Sequence, residues 1–186
     1  MMTRTISVAL LLLALAACLA PEESVSHGPA ANGPAAIRGA AVLMPFKKDL
    51  KQALQSGMQE GPIEAISACR IKAPEIAAAI SVNGVMVGRS SHRLRNPANA
   101  APEWVAPILE LFVADPAKRV PHVTELGDGR VGYVEPIRIQ PMCLACHGET
   151  VAPELEAKLL ELYPDDNATG FRDGDLRGVF WAEFPE

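Results

Sequence analysis

Cys143, Leu144, Ala145, Cys146 and His147 form a C-x-x-C-H pentapeptide, the pattern that attaches a c-type haem. Two thiols three positions apart on a tight turn can reach the two vinyl groups of one porphyrin and form thioethers. The histidine that follows is then directed at the iron as an axial ligand. A redox dithiol would instead open a helix within a βαβ unit, a pattern this sequence lacks. Half of a zinc site would need a second C-x-x-C or a suitable histidine pair, and neither is present. A disulfide between Cys143 and Cys146 would be strained. Covalent attachment of one haem is the chemistry this spacing serves.

The sixth position on such an iron has several candidate ligands. His27 lies in an irregular Ala/Pro/Gly/Ser stretch, His122 in an expected strand, and Met142 too near the pentapeptide to reach the far side easily. Cys69 and His92 remain, and residue chemistry does not separate them. Cys69 lies on an Ala/Ile helical face where an inert buried thiol is the ordinary outcome. His92 lies in a polar loop where solvation is ordinary.

The start of the chain carries a second, independent signal. Arg4 is followed by an almost wholly apolar run from Ile6 to Leu19, shorter than the roughly 20 residues a membrane-spanning helix needs. Leu15, Ala16, Ala17 and Cys18 match a bacterial lipobox, so residues 1–17 read as a lipoprotein signal peptide and Cys18 as the lipidated residue. Residues 19 and 20 are Leu and Ala, so no acidic residue directly follows Cys18, which favours the outer membrane and a periplasmic domain. Export agrees with the haem motif, because c-type haem is attached outside the cytoplasm. With Cys18 lipidated and Cys143 and Cys146 in the motif, Cys69 is left without a partner in an oxidising compartment.

The 186 residues suffice for one domain, and 49% hydrophobic content is that of a globular chain. The formal charge is −5, one unit more negative without Arg4, which argues against nucleic acid as a partner. Residues 18–36 read as a flexible tether and 37–186 as the folded domain. Ile37, Ala40, Ala41, Met44, Leu50 and Leu54 recur at helical spacing, with Pro45 expected to kink or interrupt the helix. A second helix is expected from Pro62 to Ala79, bent at Pro74, and a short one from Glu103 to Val113. Strands are expected over 85–90, 120–126, 130–139 and 176–184, the middle two joined by a hairpin at Gly127, Asp128 and Gly129. A helix near 153–162 follows the haem motif. The fold class is α+β.

Several stretches together resemble a family of haem-c proteins with a PAS-like domain. These are AIxxCxxxAPxIA at 65–77, GRSSxRLRNPAN at 88–99, Pro136 with Ile137, CLACHG at 143–148, and YPDDNATGFRDGDLRG at 163–178. They lie in order across nearly all of the expected domain. The resemblance implies a central antiparallel sheet with flanking N-terminal helices on one side and haem against it. A cyanobacterial member looks like a cytochrome whose iron is held by the motif histidine and a cysteine, and that cysteine corresponds to Cys69. His92 stands where the family pattern leads one to expect an aliphatic residue, so it stays as the alternative ligand.

A thiolate from Cys69 would stabilise ferric iron, giving a low potential and a ligand able to leave on reduction. Arg89, Arg95 and Arg177 lie in family-like stretches and are candidates to hold the haem propionates. Asp165, Asp166, Asp173 and Asp175 sit among turn residues and read as turn caps. With no nucleophile–base pair or phosphate loop, the reading is redox or gas sensing, or electron transfer. The partner is a redox protein or a diatomic gas, and a peroxidase-like catalytic haem is the alternative.

Overall fold

The computed structural model describes residues 33–186, so the signal peptide, Cys18, His27 and nearly all of the tether lie outside the described residues. The chain begins with α1, Pro34–Glu60, so residues 34–36 already form a helical turn. Pro at the first helical position needs no intrahelical N–H, which favours the start there.

Pro45 neither breaks nor interrupts α1, contrary to expectation. It is exposed, whereas Leu43, Phe46 and Leu50 line the buried face. The carbonyl that loses its partner to Pro45 therefore faces water, and the continuous apolar stripe holds the helix together across it. Against the sheet α1 comes unusually close. A Cβ added to Gly39 would lie 2.3 Å from Cγ of Tyr133, so only glycine fits.

After α1 the helical segment is shorter than its sequence pattern implied and is broken into three parts. The single turn α2, Ala65–Ser67, runs into a π-helical turn, Ala68–Lys72, and then into α3, Ala73–Ile80. Pro62 lies before all of them instead of at a first helical position. Within the π turn the Ala73 N–H reaches back five residues to the Ala68 carbonyl. Pro74, with no N–H and a ring that crowds the preceding turn, accounts for the widening just before it.

Four antiparallel strands follow: β1, Met86–Ser90; β2, His122–Gly127; β3, Arg130–Arg138; and β4, Leu176–Pro185. Their order is β1-β4-β3-β2, so the strand made last pairs with both β1 and β3. Between them lie α4, Ala106–Ala114; α5, Leu144–His147, preceded by a short 3-10 turn; and α6, Pro153–Leu162.

Strand alternation gives the sheet two apolar faces. Val131 and Tyr133 of β3 join Ala182 and Phe184 of β4 under α1. Val134 and Val179 pack with Val105, Ile108 and Phe112 on the opposite face. The resemblance implied helices on one side of the sheet, and α4 instead covers the second face as well. Among the described residues no helix is long and apolar enough to cross a membrane.

Candidate functional site

A cavity of about 330 Å³ opens between α1, the π turn, β1 and the segment around α5. That is within the size range of small-molecule and cofactor pockets. Cys69, Cys143, Cys146, His147, Arg89, Arg95 and Arg177 all line it, although they span more than a hundred residues of chain. His92 does not line it. That side chain is exposed and meets Phe171 edge to face at 6.2 Å. Burial of part of the ring, Arg177 and Arg93 hold its pKa below the ordinary value. The other histidine set aside, His122, sits at the start of β2.

The pentapeptide folds into one compact turn. Cys143 ends a 3-10 turn that leads directly into α5, so both thiols and His147 come from one tight helical segment. All three described cysteines are free thiols. Gly148 closes the turn, and a Cβ there would lie 2.6 Å from the Leu144 carbonyl oxygen.

A loop from the chain's last quarter then fastens the turn. The Phe171 N–H donates to His147 O at 2.9 Å, and the Gly170 N–H donates to Gly148 O at 2.8 Å. Arg93, which the motif reading passed over, anchors this loop. Its guanidinium donates to the carbonyls of Asn167 and Thr169 and lies 4.3 Å from the centre of the Phe171 ring.

His147 is held in one tautomer. Its Nδ1 lies 2.6 Å from the Ala168 carbonyl oxygen, which can only accept, so Nδ1 carries the proton and Nε2 keeps its lone pair. Burial, and then the positive charges of Arg177 and Arg95, push its pKa down to about 3, with the Ala168 hydrogen bond opposing them. The ring is therefore neutral and ready to ligate at neutral pH. Burial also pushes the Cys146 thiol up, against the pull of Arg95.

The depressed His147 pKa carries a consequence for the chain with nothing bound at Nε2. On unfolding, His147 regains an ordinary pKa near 6.5, while folded it takes a proton only near 3. The unfolded state thus binds more protons below 6.5, and stability is full above that pH and lost as pH falls. Denaturant midpoints should drop from about pH 7 to about pH 4, and His147→Gln should flatten the slope. A midpoint independent of pH would remove the buried neutral imidazole from the account.

Three arginines give the cavity a strong positive character. Arg95 is paired: Nε donates to Asp166 Oδ2 at 2.9 Å, and Nη2 donates to Cys146 O at 2.6 Å. Arg177 donates to Ser91 Oγ at 2.6 Å and Arg93 O at 3.1 Å. Burial, with Arg89 and Arg95 nearby, pushes the Arg177 pKa down to about 10, which leaves it charged at neutral pH. Arg89 turns toward Cys69. Among the described residues, neither Arg177 nor Arg89 has a carboxylate partner.

Of the four aspartates read as turn caps, Asp166 and Asp175 cap turns, and Asp166 does more. Asp175 accepts from the Arg172 N–H, and Asp166 accepts from the Ala168 N–H at 2.8 Å while also neutralising Arg95. Sequence periodicity had not placed Leu54, Met58 or Tyr163 at the site, yet they supply apolar wall. Among the described residues no three His, Cys, Asp or Glu side chains gather as a ligand set for a bare ion. The donors on offer are separate single ligands around an apolar space with a cationic rim.

The family model for Tll0287-like proteins matches residues 33–185. The crystal structure of the cyanobacterial haem protein Tll0287 superposes with a TM-score of 0.60 at 29% sequence identity, covering 83% of this chain and 97% of that one. No curated protein gives a significant match.

Proposed function

This chain belongs to the Tll0287-like family, and on that premise we propose that it is an exported haem-c protein whose domain is PAS-like and which senses redox state or a diatomic gas, or carries electrons. One observation carries the reading: Cys143, Cys146, His147, Cys69 and uncompensated arginine charge face a single largely apolar cavity. The relative of known structure is itself a haem protein.

The residues fit the group. Cys143 and Cys146 are free and correctly spaced to be the thioether anchors. His147 would ligate the iron through Nε2 while Ala168 fixes its ring. Cys69, which lines the same cavity, would be the second ligand. Arg177 and Arg95 would meet the propionates, a role that suits a buried guanidinium with no carboxylate of its own in the case of Arg177. When bound, the haem supplies a one-electron centre that can also take a gaseous ligand. A Cys69 thiolate would favour the ferric state, and Cys69 sits in a π turn, a form common at functional sites.

Cys18 would carry the lipid that tethers the domain on the periplasmic side of a membrane, the outer one favoured, with a redox protein or gas as partner and no nucleic acid. Intact-mass measurement on protein from a host that matures c-type haem tests both parts. Wild type should gain the mass of one porphyrin, and a Cys143→Ser, Cys146→Ser variant none. Absence of porphyrin from wild type would end the haem reading, and absence of acyl mass at Cys18 the anchor. Carbon monoxide uptake by the reduced protein then separates a sensor, which opens a site, from a carrier that keeps both ligands.

A further inference from the structure

We propose that Arg89 is the positioning residue of Cys69, holding its sulfur and setting how much negative charge that sulfur delivers, and is not a propionate partner. The inference rests on the haem reading and deepens it.

Its basis is the backbone of the π turn. In an α-helix the Cys69 carbonyl would accept from the Ala73 N–H, but that group is directed to Ala68 O. In the π pattern the next donor along would be residue 74, which is proline and has no N–H. The Cys69 carbonyl is thus orphaned by the two features that shape this turn. Arg89 fills the gap from β1, its Nη2 donating to Cys69 O at 2.9 Å. The same guanidinium presents Nη1 to Cys69 Sγ at 3.9 Å. A planar fork reaches both atoms of one residue, which a lysine ammonium on its flexible stem does poorly.

The arrangement ties sulfur position to backbone position. Arg89 has no carboxylate partner among the described residues, so its charge is free to act on the thiolate. Hydrogen bonds to a ligating sulfur, and positive charge beside it, are levers on the potential of the iron. Removing both makes the thiolate a stronger donor, which lowers the potential. The freed sulfur is also held less firmly once the iron is reduced.

The test uses the haem-loaded protein, first confirmed by intact mass. Arg89→Met should shift the midpoint potential to more negative values. It should also raise carbon monoxide affinity of the reduced form roughly tenfold, the weight of one hydrogen bond to a charged group. Arg89→Lys keeps the charge and loses the fork, so it should hold the potential nearer wild type yet still raise carbon monoxide affinity. If Arg89→Met yields no folded protein, Arg89→Lys decides alone. Wild-type carbon monoxide affinity in Arg89→Lys, or a wild-type potential in a loaded Arg89→Met, overturns the proposal and leaves the haem reading intact. Wild type without porphyrin overturns both.

Discussion

Asp166→Asn should lower folding stability by about 3–5 kcal/mol, the usual cost of stripping one partner from a buried ion pair. The pair with Arg95 is well screened from water, its side chains only 10% and 4% exposed. The variant leaves Arg95 charged near Arg89 and Arg177 with no carboxylate among the described residues to offset it. The amide can still accept the Ala168 N–H, so the turn itself has a substitute for its cap. What it cannot replace is the negative charge. Because Ala168 is also the partner of His147 Nδ1, disturbance here reaches the pentapeptide. Asp165 is exposed next door, and Asp165→Asn should stay within about 0.5 kcal/mol of wild type. Equilibrium denaturation measures both, and equal stability of the two variants would show that the ion pair does not support the loop.

The second large effect is spectroscopic. In ferric haem-loaded protein, Cys69→Ala should abolish the thiolate signature in the absorption and EPR spectra, while His92→Ala should leave both in place. The structure gives the two residues very different situations. Cys69 lines the same cavity as a ligand-ready imidazole, whereas His92 is exposed against Phe171 and lines none of it. Losing a negatively charged ligand also removes stabilisation of Fe(III), so the potential of Cys69→Ala should rise. A ferric spectrum unchanged by Cys69→Ala, or altered by His92→Ala alone, would hand the sixth position to another residue.

Local chemistry was legible in the residues where spacing alone defines it. The C-x-x-C-H spacing reads directly because its five positions share one turn, and the strands read because β3 and β4 alternate between two buried faces while β2 turns Val123 inward. The hairpin at Gly127, Asp128 and Gly129 reads because it demands left-handed backbone, with φ of 50° at Asp128. What was hidden is long-range. Cys69 lies 74 positions before Cys143, and nothing in its helical face distinguishes a ligand from an inert thiol; only the family-like stretch pointed to it. Arg89 stood in such a stretch and was expected at the propionates, but the orphaned carbonyl it serves exists only because a π turn meets Pro74. Pro45 misled because a proline's effect depends on whether its turn faces water, which depends on what the other side of α1 packs against.

A sheet ordered β1-β4-β3-β2 places its final strand between partners that were synthesised long before it. Until residues 176–185 are available, β1 and β3 each expose an unpaired edge, and the loop at 168–171 has no fixed place from which to grip residues 147 and 148. Completion of the domain is therefore a late, single closure, and from their own appearance until residues 168–185 arrive the two thiols at 143 and 146 sit on a turn that no later loop or strand has yet fastened.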